Sequence, residues 1–541
     1  MGAMTTDIIA TLGGVGLFLL GKIWLTDGLR GLAGRTLREA LARFTRTPLS
    51  GAVTGALTTA AIQSSSATTV TAVGFVSAGL ITFPQALGVI FGANIGTTIT
   101  GWLVAILGFK LQLGTLALPL VFVGALLRLF GRTRLAMLGT ALAGFSLLFI
   151  GIDAMRTGMA AFEGIVTPTS FPGDSLIGRF ELVLIGIAIT LVTQSSSAGV
   201  ATALAALGVG AISLPQAAAM VIGMDVGTTF TAALAIIGGT TATRRTGLSH
   251  VIYNVLTGIM AFLLLGPYVA LIAPWLARGD SQIALVAFHT GFNILGVILV
   301  LPLTRPFARL VIKLVPESGP RLTRRLDQQL LNDADAATDA IAGTLEELAD
   351  EQFKALVKRL RQAKTGRVDL PEPRAIAEAL SETRRFIDAV PSGDPASPRT
   401  RTIIAALHIL DHLERLYHRC NQTGRLETLG HDHRLRRLAG LMGSLAGEAA
   451  QNTDAKPMEA RLDHLRRILR WQRRVFRERL LLAASARRLS SEALLARLDA
   501  LRWLHRVAYH LWRIEHHLVL MRDAGAPVPP LREAKVEVAE D

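Results

Sequence analysis

Two stretches of this chain carry the same five residues: Gln63, Ser64, Ser65, Ser66 and Ala67, and again Gln194, Ser195, Ser196, Ser197 and Ala198. Each lies in a charge-free run rich in Gly, Ala, Ser and Thr, the first reading GAVTGALTTAAIQSSSATTVTAVGFVSAGL. Hydroxyl, amide and carbonyl oxygens suit a hard cation such as sodium. Free backbone N–H groups and hydroxyl donors at a helix start suit an oxyanion such as phosphate. The bland alternative is that such serines only hydrogen-bond between packed helices. A duplicated five-residue motif weighs against it.

The copies extend well beyond the motif. Aligning Gln63 with Gln194 pairs the two stretches without a gap through Thr100 and Thr231, with 17 identities in 38 positions. The matches fall on Gln, Ser, Pro, Thr and Gly, so shared apolar composition does not explain them. A second duplicated block ends the alignment, Gly92-Ala93-Asn94-Ile95-Gly96-Thr97-Thr98 against Gly223-Met224-Asp225-Val226-Gly227-Thr228-Thr229. Its glycines are expected to weaken the helix and expose carbonyls, with the threonines adding oxygen ligands. Asp225 is the only acid between Glu181 and Asp280, and an ionisable group in such a run is a functional candidate by default. The candidate binding residues are thus Gln63, Ser64, Ser65, Ser66, Asn94, Thr97, Thr98, Gln194, Ser195, Ser196, Ser197, Asp225, Thr228 and Thr229. Two further pairs at helical spacing, His250/Asn254 and His289/Asn293, could help bind the substrate or pair across helices, and packing between helices is the favoured reading. Lys22, Asp27, Asp153 and Arg156 read as membrane-interface residues.

What positions these groups is a membrane domain. Residues 1–316 hold 18 Lys and Arg against 9 Asp and Glu, while the remainder holds 38 and 32. Apolar runs of the roughly 20 residues needed to span a bilayer fall near 8–27, 84–108, 113–130, 135–157, 214–238, 251–275 and 282–303. The two motif stretches, about 51–80 and 182–211, read as re-entrant hairpins or broken helices; one long span each is the alternative. Upstream, GLFLLGKIWLTDGL (16–29) resembles SLLFIGIDAMRTGM (146–159), so the repeats cover about 13–107 and 144–238. Arg30, Arg35, Arg38, Arg43 and Arg46 follow the first run, whereas the matching stretch of the second copy has acids and no Lys or Arg. The positive-inside rule places the first loop in the cytoplasm and its counterpart outside, which makes the repeats inverted. Seven crossings leave the N-terminus outside and the C-terminus inside. The N-terminal run lacks the basic start of a signal peptide and reads as a retained span.

Residues 317–525 show helical periodicity without long apolar runs, which predicts a cytoplasmic bundle of about six helices near 321–363, 372–389, 397–424, 430–452, 457–487 and 489–522. Residues 526–541 read as a disordered tail. The one cysteine, Cys420, excludes an internal disulfide and suits a reducing compartment. The net charge of +15 is that of loops beside membrane spans; no zinc-finger spacing or aromatic-basic motif points to nucleic acid. The fold class is therefore all-α: a polytopic membrane domain with two inverted, hairpin-bearing repeats, plus a helical-bundle domain. No enzyme chemistry and no cofactor are expected.

At these residues the chain resembles the type II sodium/phosphate cotransporter family, whose hallmark is a pair of inverted QSSS repeats. The matching text is LTTAAIQSSSATTVTAVGFVSAGLITFPQALGVIFGANIGTTIT and TQSSSAGVATALAALGVGAISLPQAAAMVIGMDVGTTFT, within residues 8–305. The resemblance implies sodium-coupled phosphate transport across the plasma (inner) membrane, with sodium as the coupling ion and the QSSS segments and nearby threonines lining the site. Asp225 stands where the first copy has Asn94, so the two copies are not chemically equal. The C-terminal half resembles the PhoU-like domain fused to bacterial members. Its segments HLERLYHR (412–419) and HLWRIEHH (510–517) keep Glu414, but His418 and His516 stand where Asp is expected and Trp512 replaces a Glu, so no carboxylate metal cluster is expected and a softer His site is the weaker alternative to a module without metal. A second copy of the chain or a regulatory protein is the partner that this domain implies. The rival readings are a phosphate exporter or carrier of another oxyanion, and a membrane-anchored phosphate-status regulator.

Overall fold

The computed structural model describes residues 2–523 other than 79, 163, 238, 277–280, 318–319, 364–372, 392–396, 452–454 and 487–488. The tail expected to be disordered, 526–541, lies outside the described residues. The chain divides into two compact units, Met1–Ser318 and Gly319–Asp541.

In the first unit the helices are α1 (Gly2–Phe44), α2 (Pro48–Ile62), α3 (Ser65–Ala78), α4 (Phe83–Leu103, continued by a π-helical turn Val104–Lys110), α5 (Gly114–Phe130) and α6 (Thr133–Ala160). They are followed by α7 (Leu176–Thr193), α8 (Ser196–Gly208), α9 (Leu214–Gly227), α10 (Thr229–Ile236), α11 (Thr241–Leu276), α12 (Ser281–Val300) and α13 (Thr304–Leu314). Seven helical stretches are long and apolar enough to cross a membrane, which makes this a multi-pass membrane protein. They differ from expectation at two places. The 113–130 run forms α5, which at 17 residues is at the short end of a span, and α7, expected as a hairpin arm, is itself long and apolar enough to cross. Large apolar side chains on α5, among them Leu116, Phe122 and Phe130, are exposed where lipid would cover them.

Equivalent elements of the two sequence copies pack in equivalent ways. Gly14 of α1 meets Gly151 of α6, and Gly21 meets Gly144; in the sequence alignment Gly144 matches Gly14 and Gly151 matches Gly21. The contact is thus reciprocal, the pattern of a two-fold axis, and α1 runs antiparallel to α6. Without side chains at these positions the two backbones touch directly.

The motif-bearing helices repeat the same logic. At about 1.5 Å per residue, α2 and α3 are each roughly 20 Å long, too short for a bilayer of about 30 Å. The chain turns back between them. Gly92 of α4 lies on the Ala52 carbonyl of α2, and Gly223 of α9 lies on the Val183 carbonyl of α7, so α4 runs parallel to α2 and α9 to α7. The duplicated Pro-Gln pair fixes this return. Gln85 accepts from the Thr82 backbone N–H (2.7 Å) at the start of α4 and donates to the Arg46 carbonyl (2.7 Å) before α2. Gln216 accepts from Ser213 N–H (2.8 Å) and donates to the Pro168 (2.8 Å) and Pro172 (3.0 Å) carbonyls before α7. Each hairpin therefore ends beside the point where it began.

The GANIGTT glycines, expected to weaken their helix, do not interrupt it in the first copy. There α4 continues without interruption, because its glycines seat the helix against α2. In the second copy the helix tightens at Thr228, whose N–H turns to the Asp225 and Val226 carbonyls while its backbone stays helical, and α9 passes into α10.

The second unit comprises α14 (Ala334–Ala363), α15 (Arg374–Ala389), α16 (Pro398–Cys420), α17 (Thr423–His431), α18 (His433–Ala449), α19 (Ala455–Ser485) and α20 (Ser491–Arg522). Seven α-helices are described where six were expected. Asp432 ends one helix and caps the next, accepting from the N–H groups of Arg434 (2.9 Å) and Leu435 (3.1 Å). The first helix starts at Ala334 rather than 321, because Asp333 accepts from Ala336 N–H (3.2 Å) as its cap. The core forms where α14, α16, α18 and α20 bury Leu345, Phe353, Leu410, Met442 and Trp503.

Candidate functional site

Each QSSS motif is the joint of its hairpin. Gln63 and Gln194 end α2 and α7 in the left-handed region, at φ 57° and 52°. Such a φ costs a non-glycine residue of order 1 kcal/mol or more. The amide offsets it locally: Gln63 Nε2 donates to the Ala60 carbonyl (2.5 Å) and Gln194 Nε2 to the Leu191 carbonyl (2.7 Å). The next serine caps the returning helix. Ser64 Oγ accepts from Ala67 N–H and Ser195 Oγ from Ala198 N–H, both at 3.3 Å. Within three residues the carbonyl end of one helix meets the N–H end of another, offering oxygen ligands and donors side by side. Ser196 and Ser197 are buried, while Ser66 is exposed.

The α1 helix touches both joints. Thr26 Oγ1 donates to the Gln63 carbonyl at 3.5 Å. One turn earlier, Lys22 Nζ donates to Ser195 Oγ (3.2 Å) and Ser197 Oγ (2.9 Å). Lys22, read from its sequence position as an interface residue, thus places its ammonium on the second joint; Asp27, read the same way, is exposed.

A second polar cluster joins the GANIGTT and GMDVGTT blocks. Asn94 Nδ2 donates to Asn254 Oδ1 at 2.6 Å, and Asn254 Nδ2 donates to the Asp225 carbonyl and to Thr228 Oγ1, both at 3.1 Å. Asn254, fully buried on α11, thus bridges the two positions that the repeat makes equivalent. On the other side His289 Nε2 of α12 lies 3.6 Å from Asp225 Oδ1. Trp102 Nε1 donates to Thr290 Oγ1 (2.9 Å), and Thr290 Oγ1 donates to Thr98 Oγ1 (3.0 Å). Three buried atoms here lack a hydrogen-bond partner: His250 Nε2, His289 Nδ1 and Asn293 Oδ1. Unsatisfied polar atoms at such depth are costly unless something else meets them.

The threonines behave less openly than expected. Thr97, Thr98, Thr228 and Thr229 spend their hydroxyl protons on the carbonyls of Ala93 (3.0 Å), Ile95 (2.8 Å), Asp225 (2.6 Å) and Val226 (2.7 Å). Thr98 also accepts from Thr290 and Thr228 from Asn254, whereas Thr97 and Thr229 offer their lone pairs as ligands. The two clusters are linked through α4, where Thr100 Oγ1 donates to Gln63 Oε1 at 2.8 Å. The structure thus brings the motif residues together with three side chains the sequence did not single out as ligands: Lys22, Asn254 and His289. The recurring His-x-x-x-Asn spacing at 250 and 289 was the visible signal, but spacing alone does not say what a helix face meets.

The profile of the Na+/Pi-cotransporter family matches residues 17–157 and 174–297. YqeW of Bacillus subtilis is 32% identical over 312 residues, 55% of this chain and 95% of that protein. The chain belongs to the Na+/Pi-cotransporter family. Escherichia coli YjbB, named for inorganic phosphate export, is 27% identical over 376 residues, 66% of this chain and 67% of that one. Human sodium-dependent phosphate transport protein 2B is 48% identical over 60 residues, 11% of this chain and 9% of its own length. No solved structure matches the chain. Both matched segments contain a QSSS motif, so the family covers both hairpins and leaves the C-terminal unit outside.

In that unit Glu414 is held by Arg384, whose Nε donates at 3.1 Å, and His516 Nδ1 lies 2.8 Å from Glu459 Oε1. Among the described residues no three His, Cys, Asp or Glu side chains converge as a metal site. What the unit does hold is a cluster of imidazoles, with His412, His510 and His517 buried and His408 exposed at its edge. His412 and His510 meet Nδ1 to Nδ1 at 3.2 Å, and His517 stacks on His408 with ring centres 4.5 Å apart. Burial, with the neighbouring Arg513 adding to it, pushes His412 down to about 4, so this imidazole is neutral at pH 7.

Glu515 is shifted the other way. Burial first, then Asp350, Glu346 and Glu459, push its carboxyl up to about 7 against the pull of Arg522. Its folded value exceeds the unfolded one, so its contribution is complete below about 4.5 and is lost as the pH rises through 7. Glu515→Gln cannot ionise. Hydrogen exchange of α20 in the intact protein should therefore be at least about tenfold slower in the variant at pH 8 and equal to wild type at pH 5. A difference independent of pH would reject the buried neutral carboxyl.

Proposed function

We propose that the chain carries inorganic phosphate across the plasma (inner) membrane coupled to sodium, by alternating access around a site built from both hairpin joints. One observation supports this above the rest: α1 reaches both QSSS joints and Asn254 joins the equivalent positions Asn94 and Asp225, which favours one shared site over two separate ones. The antiparallel, reciprocal meeting of α1 and α6 supports reading the repeats as inverted. The arginine-rich loop after α1 then sets the N-terminus outside and the C-terminal unit in the cytoplasm. Asp225 and Asn94 give the two halves different charges, so the halves bind cations unequally. The C-terminal unit is read as a PhoU-like regulatory module.

The test is uptake of labelled phosphate into proteoliposomes under an imposed sodium gradient. Uptake should follow the gradient and stop when it is dissipated. The double variant Ser65→Ala/Ser196→Ala should lose at least about 100-fold of the rate, since each lost hydroxyl removes a ligand worth roughly 1.5 kcal/mol, while eluting as the folded protein. Retained transport would remove the serines from the site. Phosphate movement indifferent to sodium would remove the coupling. One relative is named for export; reversing the gradient tests that direction, which a gradient-driven carrier should follow.

A further inference from the structure

The two QSSS joints are not served alike by α1. At the first, α1 offers the neutral hydroxyl of Thr26; at the second, it offers the Lys22 ammonium, on Ser195 Oγ and Ser197 Oγ. The residue matching Lys22 in the second copy is Ile152, which is buried in the apolar core. The asymmetry therefore belongs to the sequence and is not a consequence of where the helices lie.

Two features of the lysine point to a charge role. Its nitrogen sits on serine oxygen lone pairs, the same atoms that would ligate a small hard cation. Among the described residues it pairs with no carboxylate. A side-chain cation inside a membrane domain is costly unless an anion meets it. An ammonium has three N–H donors; two are spent on the serines, and one is left for an arriving oxyanion.

We propose that the Lys22 ammonium is a built-in cation of the second QSSS motif, offsetting one negative charge of the transported phosphate there and taking the place of one coupling sodium ion. The proposal rests on the phosphate-carrier reading above and adds to it a prediction of stoichiometry. Sodium would enter through the first joint and the Asp225 cluster, while the second joint carries its own charge.

The experiment compares wild type, Lys22→Gln and Lys22→Arg in proteoliposomes, reading the ratio of labelled sodium to labelled phosphate moved. Lys22→Gln should gain one sodium ion per phosphate. Its uptake at low sodium should fall by about tenfold or more, the loss expected of a charge-assisted hydrogen bond, and recover as sodium is raised. Lys22→Arg should keep the wild-type ratio. An unchanged ratio in Lys22→Gln overturns the proposal, whether phosphate affinity falls, as for a plain phosphate ligand, or stays, as for a packing residue. A second reading uses no transport: sodium should raise the melting temperature of detergent-solubilised Lys22→Gln by more than that of wild type, and equal shifts overturn the proposal. If wild type itself moves no phosphate, the carrier reading fails, and the sodium-dependent melting comparison still decides the role of Lys22.

Discussion

Gly223→Val should leave almost no folded carrier. The Cβ it adds would sit on the Val183 carbonyl oxygen of α7, with the backbone N–H of Ile187 close by. Both are backbone atoms of a packed helix and cannot swing aside, unlike the end of a flexible side chain. The only relief is to separate α7 from α9, and overpacking of this kind costs about 3 kcal/mol or more. That separation also pulls Asp225 away from the Asn254 amide that binds its carbonyl. We expect the melting temperature in detergent to fall by roughly 6 °C or more, with loss of the monodisperse peak. Gly16→Val is the matched control, because nothing lies within van der Waals reach of a Cβ there. If Gly223→Val melts as the control does, the close approach of α7 and α9 is wrong.

Asn254→Leu should fold and yet transport at least about 100-fold more slowly. Leu keeps the branching of Asn, but its methyls are larger than the amide atoms they replace, so the neighbours at hydrogen-bond distance must move outward slightly. It removes the acceptor for Asn94 and the donor for the Asp225 carbonyl and Thr228, leaving buried polar atoms unmatched at about 1–3 kcal/mol each. Even two of these three losses at the point where the halves meet correspond to roughly a hundredfold in rate. Initial phosphate uptake at saturating sodium is the measurement. A rate within twofold of wild type would make the Asn94–Asn254–Asp225 bridge a packing feature rather than part of the carrier. The exchange variants Asn94→Asp and Asp225→Asn would then show how far the asymmetry between the copies sets the response to sodium.

Much of this is legible in the chain alone. The two QSSSA copies, the Pro-Gln pairs and the glycines stand out because apolar composition by itself does not repeat a polar motif in register. Their alignment also foretells which elements are equivalent. The individual roles are less legible. The glycines of 92–98 look like helix breakers, yet in α4 they are contact points. A missing Cβ both weakens a helix and permits close approach, and sequence does not say which applies. Lys22 looks like an interface residue for a related reason. In a 43-residue helix, the position of one lysine along the chain does not fix which neighbour covers it.

Sequence alone determined that this is a helical membrane protein, that its core is duplicated, and that the motifs carry hydroxyl and amide groups. Those conclusions rest on local composition and spacing, which the chain carries wherever it folds. Tertiary structure decided that each hairpin returns to its starting point, that α1 delivers an ammonium to one motif and a hydroxyl to the other, and that Asn254 joins the two copies. These last contacts join residues as far as 175 positions apart. Such pairings depend on how helices pack against one another, which the periodicity of a single helix does not encode.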